Sequence, residues 1–315
     1  MRKTPLLVLA YNRQDKMRRL LDALRAVKAP TIMVAVDGPK PGNAADAAKV
    51  RAVQELVGTI DWTDDVQVRF RPVNVGLRAS VADAVSWATS EHGQTMVIED
   101  DALPGPDFVP YSAAMLERFR DDERIAHISG YNLVPPQRLV SSRGSRLTLY
   151  PESFAWATWD RAWKHYDPTL EWANNVSLDD LAKVTGDRVS AARWKQHFGD
   201  ARAERISTWA YRWIASMWSQ GALVLSPNQN LVKYIGYDEG THTTLKAPWH
   251  ELPVYEGERS MLLEGEPAVD AAADAWVGRT IFGESPYGLA RGLAISAVLE
   301  ARKHYRRYRA GRLSS

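Results

Sequence analysis

Three successive acids, Glu99, Asp100 and Asp101, follow the apolar run Thr95-Met96-Val97-Ile98. Buried without a counter-charge, they would repel one another and resist ionisation. At the carboxyl end of a strand in an open parallel sheet they would face a ligand crevice. A hard divalent cation, Mn2+ or Mg2+, suits such oxygen ligands and would supply the missing charge, in turn neutralising a diphosphate. The same acids would equally serve as a solvated turn leading into a helix begun by Pro106 and Asp107. A second polar group, Ala10, Tyr11, Asn12 and Arg13, ends the first apolar run, and Asp37 ends the second. Arg13 can pair with a phosphate or a base, and Asp37 can accept from a base N–H. Alternatively, Asn12 or Asp15 caps a helix and Asp37 forms a turn.

The elements that would position these residues alternate along the first half of the chain. Pro5 to Ala10, Thr31 to Val36 and Thr95 to Ile98 are short continuous apolar runs, as expected of strands buried on both faces. Val66–Phe70 and Ile125–Ile128 add two further strands. Between them, Asp15–Val27, Ala44–Val57, Ser80–Ser90 and Pro106–Arg118 read as helices, the first with Met17, Leu20, Leu21, Leu24 and Val27 at helical spacing. This βαβα rhythm predicts an α/β fold with an open, mostly parallel sheet and helices on both faces. Beyond residue 130 the spacing loosens, with strand-like pieces at Leu147–Tyr150 and Ala222–Leu225 and helices at Leu178–Lys183 and Thr208–Trp218.

With 315 residues, 45% hydrophobic and 25% charged, the chain can bury a sizeable core. The absence of cysteine excludes disulfides, Cys-zinc sites, iron–sulfur clusters and thiol mechanisms, leaving oxygen and imidazole ligands for any metal. No run of 18 apolar residues occurs, and Met1-Arg2-Lys3-Thr4-Pro5 leads into a strand without a cleavable signal pattern, which predicts a cytoplasmic location. The net charge of +2 is uneven. Setting aside Arg302, Lys303, Arg306, Arg307, Arg309 and Arg312 leaves 34 basic against 38 acidic residues, an acidic body that argues against nucleic acid as a partner. Leu289 to Arg309 combines Leu293, Ile295, Val298 and Leu299 with those basic residues and Tyr305 and Tyr308. It suits either an anionic membrane surface or a helix packed on the body with a solvated basic end.

The order of these motifs resembles the GT-A nucleotide-sugar transferases, and within them the animal N-acetylglucosaminyltransferase I type of inverting enzyme. The matching pieces are Leu7 to Arg13, Val34 to Gly38, Met96 to Leu103 with Pro106-Asp107-Phe108, and Ile128 to Asn132. The likeness continues through Phe154 to Trp159 and Ser226-Pro227 to Gly240-Thr241-His242, covering residues 5 to 243. It implies a GT-A, Rossmann-like fold in one continuous unit. A nucleotide-sugar-binding half would span 1–132, an acceptor-binding and site-closing half 133–285, and a basic tail 286–315. In the donor loop formed by Ala10, Tyr11, Asn12 and Arg13, Arg13 would hold the uracil end of a UDP-sugar together with Asp37. Arg78 would approach the nucleotide, Glu99 would bind sugar hydroxyls or support the site, and Asp100 would contact the ribose or sugar. Asp101 would ligate Mn2+ or Mg2+, joined by His242.

The family's base is an Asp preceding a Trp, where this chain has Ser207-Thr208-Trp209, and an unactivated hydroxyl is no base at neutral pH. Glu204 is the substitute candidate and, with Asp100, the expected catalytic pair. Asp160, Asp238 and Glu239 stand behind Glu204, which would equally serve as a helix-start acid favourable to the dipole. Nine of the 12 tryptophans lie between Trp156 and Trp249. Trp156, Trp159 and Trp163 would share one helix face, and Trp156 and Trp159 are the candidates for stacking on an acceptor ring, although such stripes are usually core. The resulting expectation is a metal-dependent, inverting transfer from a UDP-sugar to a glycan or lipid-linked hydroxyl. A catalytically silent nucleotide-sugar-binding protein and a Mg2+ phosphohydrolase using Asp100 or Asp101 are the alternatives.

Overall fold

The computed structural model of the protein describes residues 4–27, 31–237 and 251–313. They fall into two compact units, Met1–His165 with Ala222–Ala273, and Tyr166–Gly221 with Asp274–Ser315. The grouping follows contacts rather than chain order, because residues 222–273 return to the sheet.

The continuous apolar runs become β1 (Leu6–Ala10), β2 (Ile32–Val36) and β4 (Gln94–Glu99), with β3 (Val66–Phe70) between the last two in sequence. Every residue of β1 and β2 is buried, as it must be for strands covered on both faces. The first unit also contains β5 (Ala102–Pro104), β6 (Ile125–Ser129), β7 (Ser145–Thr148), β8 (Ala155–Trp159), β9 (Leu223–Pro227), β10 (Val232–Tyr234) and β11 (Ala268–Val269). Nine strands form one sheet in the order β11-β7-β9-β6-β8-β4-β1-β2-β3, and β10 pairs with β5 in a second, two-stranded sheet. The β1–β2, β2–β3, β1–β4, β6–β9 and β7–β11 pairs are parallel, whereas β8 runs antiparallel to both β4 and β6. The carboxyl ends of β1, β2, β3, β4 and β6 therefore share one rim. This is the mostly parallel, mixed α/β arrangement that the alternation predicts.

Helices α1 (Gln14–Val27), α2 (Ala44–Val57), α3 (Leu77–His92), α4 (Phe108–Arg118) and the single turn α5 (Asp160–Trp163) cover this sheet. α1 buries Met17, Leu20, Leu21 and Leu24, the face its spacing marks out. α3 stops at Gly93, whose φ of 78° lets its N–H cap Thr89 O. The segment from Trp156 to Trp163 is not one helix. Alternation in β8 sends Trp156 and Trp159 to opposite faces of a strand wedged between β4 and β6. Strand pairing overrides the helical spacing there.

The second unit is helical, with α6 (Glu171–Asn175), α7 (Leu178–Thr185), α8 (Arg188–Arg202), α9 (Ala210–Ser219), the later part of α10 (Ala271–Val277) and α11 (Pro286–Leu313). Ser177 and Asp187 cap α7 and α8 by accepting backbone N–H bonds. Trp194 is fully buried at the centre, its ring centroid 4.8 Å from that of Trp218 and 4.9 Å from that of Phe282. Trp209 and Trp213 are buried too, so this part of the tryptophan excess builds core. Among the described residues, no helix is long and apolar enough to cross a membrane.

Candidate functional site

The acids after β4 sit at the shared rim with Arg13, which follows β1. Because β1 and β4 are adjacent and parallel, residues just beyond their carboxyl ends meet. Arg13 Nη1 lies 2.6 Å from Asp101 Oδ2 and 3.2 Å from Asp100 Oδ1. Both carboxylates are only 5% exposed, so the guanidinium supplies counter-charge inside the protein. Burial nevertheless pushes the Asp100 carboxyl up to about 7; Arg13 opposes the rise and Asp101 adds to it. Asp101 Oδ1 is buried with no hydrogen-bond partner. An acidic oxygen left in that condition is costly unless something else engages it. Asp101 Oδ1 is one oxygen of the kind a hard cation takes, beside an acid pair that shares one guanidinium.

The acids are followed at once by β5, and its antiparallel partner β10 fixes the far side of the site. Ile235 N–H donates to Asp101 O over 2.8 Å, tying the chain after β10 to the acid pair. Gly236 packs closely there: a Cβ would meet the Tyr234 hydroxyl and stand 2.6 Å from Asp101 Oδ2, so both side chains would have to shift. Lys16, 1% exposed on α1, donates through Nζ to Ile235 O at 3.0 Å and helps to lower the Asp100 carboxyl pKa. Tyr131 packs edge-on to Phe154, and Phe154 stacks on Tyr234 with centroids 4.2 Å apart. An aromatic wall thus runs along the rim to Asp101.

Asp37 is engaged by the protein's own donors. Its Oδ1 accepts from Gly38 N and Val75 N, and its Oδ2 from Asn74 Nδ2 and Gly76 N, at 2.8 to 3.1 Å. Four donors fill a carboxylate, so Asp37 fastens the 74–76 loop that leads into α3. Arg78 stands in the first turn of that helix and is half-buried. Asp46 does for the first loop what Asp37 does for the third. It accepts from the Tyr11 hydroxyl (2.5 Å), Asn12 Nδ2 (2.7 Å) and Lys40 N (2.7 Å). Burial alone would raise the Asp46 carboxyl pKa, but these donors hold it below its ordinary range. Ala10 is buried at the end of β1, with its carbonyl accepting from Asp37 N–H at 3.0 Å. Tyr11 and Asn12 are therefore shaped by α2, and Glu99 is half-buried at the end of β4.

Two expectations are corrected by burial and position. Trp156 is 0% exposed, stacked on His127 with centroids 4.8 Å apart, and Trp159 is 2% exposed with Nε1 donating to Leu116 O. Neither ring has a face open to an acceptor, so both are core. Asp160 is remote from the acids: β8 pairs Ala155 with Ile98 and Trp159 with Gln94, leaving Asp160 beyond the amino end of β4. That strand alone spans about 17 Å.

Glu204 lies in the second unit, in the turn after α8 at φ 57°, and α9 starts only at Ala210. It is thus neither at a helix start nor one helical turn from Ser207. Asp238, Glu239 and His242 lie outside the described residues. Among those described, no cluster of three or more His, Cys, Asp or Glu residues is arranged to hold a metal.

Several residues of the rim carry weak sequence signals. Asp46 stands three residues after the N-cap Asn43, which accepts its N–H, and that spacing marks a capped helix rather than a site. Lys16 falls on the apolar face of α1, where a charged residue is the anomaly that could have flagged it. The aromatic wall comes from residues far apart in sequence and has no local signature.

The family model described as glycosyl transferase family 2 matches residues 6–171, just over half of the chain, from β1 to the first residue of α6. Among curated proteins, none matches the chain.

Proposed function

The chain belongs to glycosyl transferase family 2, and on that premise we propose a metal-assisted, inverting transfer of a sugar from a UDP-sugar to a glycan or lipid-linked hydroxyl. The family supports a glycosyltransferase that uses a nucleotide-sugar donor and an acceptor; the nucleotide, the metal and the stereochemistry are our reading. The observation that carries it is the buried, partnerless Asp101 Oδ1 beside Asp100 and Arg13 at the carboxyl rim of the sheet. The N-acetylglucosaminyltransferase I likeness of the Glu99-Asp100-Asp101 segment favours UDP.

Asp101 would hold Mn2+ or Mg2+ through Oδ1, with His242 as a further ligand. A cation bound there supplies Lewis-acid stabilisation to the departing diphosphate. Arg13 binds and orients: its guanidinium fixes the carboxylates and can turn toward a phosphate oxygen. Asp46 shapes the Tyr11–Asn12 loop and Asp37 the 74–76 loop, so that the donor meets preformed walls with Arg78 near the nucleotide. Glu99 and Asp100 face the sugar and ribose. The basic stretch from Arg302 to Arg312 would suit docking on an anionic membrane surface at the cytoplasmic face, where a lipid-linked acceptor would be met.

A catalytically silent nucleotide-sugar-binding protein is the second reading, favoured by Ser207 and Thr208 at the family's base position. A panel of UDP- and GDP-sugars incubated with Mn2+ separates the two by release of nucleoside diphosphate. Release from a UDP-sugar is the expected result. Release from GDP-sugars alone contradicts the nucleotide assignment, and binding without release supports the silent protein.

A further inference from the structure

We propose that Glu152 is the group that takes the proton from the acceptor hydroxyl, an inference that rests on the transfer reaction proposed above. Glu152 lies in the segment from the carboxyl end of β7 to the amino end of β8, which passes the carboxyl ends of β6 and β4. Its own N–H donates to Ser129 Oγ at 3.1 Å at the end of β6, and two residues later Phe154 O accepts from Glu99 N at the end of β4. The aromatic contacts of Tyr131, Phe154 and Tyr234 then run from this segment towards Asp101, with Phe154 the half-buried ring between two buried tyrosines.

Four other rim carboxylates are committed, Asp100 among them through Arg13 at 3.2 Å. Asp37 and Asp46 fasten loops, and Asp107 accepts from Arg259 Nε at 2.6 Å. By contrast, no described residue donates a hydrogen bond to the Glu152 carboxylate, although the residue is half-buried. Glu152 also belongs to the same compact unit as Asp100 and Asp101, as Glu204 does not.

Charged and titratable neighbours come from the elements on either side. Arg146 of β7 is buried, its Nη1 and Nη2 bonded to Pro227 O and Asn132 Oδ1. His127 of β6 approaches the Glu152 carbonyl at 3.3 Å and is kept neutral, its pKa lowered to about 3 by burial. Tyr131 beyond β6 is pushed above its ordinary range by burial, with Glu152 adding to the rise. Burial raises Glu152 itself to about 8, Arg146 opposing. A carboxyl poised near the working pH is matched to reversible proton transfer.

In the step, the acceptor oxygen forms its bond to the anomeric carbon while its proton passes to a Glu152 carboxylate oxygen. The bond from that carbon to the diphosphate oxygen breaks, and its electron pair leaves with the diphosphate. With water as acceptor, the same step is donor hydrolysis, which needs no knowledge of the natural glycan.

The test is nucleoside diphosphate release from the UDP-sugar that the panel identifies, followed from pH 6 to 9.5 with Mn2+ in wild type, Glu152→Gln and Glu204→Gln. The wild-type rate is expected to rise with a midpoint near 8, since only the ionised carboxylate accepts a proton. In Glu152→Gln it should fall about 10²- to 10⁴-fold and lose that rise, while UDP affinity stays unchanged. Glu204→Gln should keep both rate and profile. Equal rates and profiles in wild type and Glu152→Gln would overturn the proposal, as would loss of UDP binding in Glu152→Gln or loss of the rise in Glu204→Gln alone. A rise that persists in Glu152→Gln would also overturn it, pointing to Asp100. No release from wild type on any UDP-sugar would overturn the transfer reading and this proposal with it.

Discussion

Asp101→Asn is expected to reduce turnover of the UDP-sugar by about 10²- to 10³-fold, the size found when a preorganised charge-stabilising group is lost. The substitution keeps the shape of the side chain and the Ile235-to-Asp101 backbone bond, and Asp100 still faces Arg13 at 3.2 Å. What disappears is the carboxylate charge, shared between Oδ2, which meets Arg13 at 2.6 Å, and Oδ1, which has no partner inside the protein. Folded stability should change little, because the lost Arg13–Asp101 pairing is opposed by relief of the repulsion that helps to hold the Asp100 carboxyl high. A thermal melt beside the turnover assay separates the outcomes. Loss of activity with a little-changed Tm is expected; full activity in Asp101→Asn would remove the acid pair from the chemistry.

Trp156→Ala is expected to destabilise the protein by about 3–5 kcal/mol, the cost of truncating a large aromatic side chain in a packed core. The indole is 0% exposed, stacks on His127, and packs at 5.7 Å against Trp163. The surrounding strands β4 and β6 pin β8 on both sides, so the void cannot close by moving one strand. Denaturant unfolding reads this as a lowered midpoint at unchanged slope. Stability equal to wild type, with only the response to acceptor altered, would return Trp156 to the acceptor surface.

These two residues show where sequence information was rich and where it was thin. β1, β2 and β4 were legible because strands buried on both faces leave unbroken apolar runs such as Leu6 to Ala10. The acid cluster was legible because three adjacent carboxylates after such a run have few structural uses. The pairing of Arg13 with Asp101, separated by 88 positions, depends on β1 and β4 being neighbours, which no local pattern encodes. Asp37 was recognisable as a polar strand end, yet its partners at 74–76 come from across the β2–β3 edge. Trp156, Trp159 and Trp163 mimic a helical face, and only the pairing of β8 with β4 and β6 reveals a strand. No proline or glycine stands between Arg202 and Trp209, so the sequence does not mark off Glu204 from the start of α9.

The claim that Asp101, Asp100 and Arg13 form a metal-assisted nucleotide-sugar site is tested most directly by calorimetric titration of UDP into wild type and Asp101→Asn, each with and without Mn2+. The account predicts that Mn2+ tightens UDP binding to wild type at least tenfold, about 1.4 kcal/mol, and leaves Asp101→Asn unchanged. UDP binding that is indifferent to both the metal and Asp101 would contradict it.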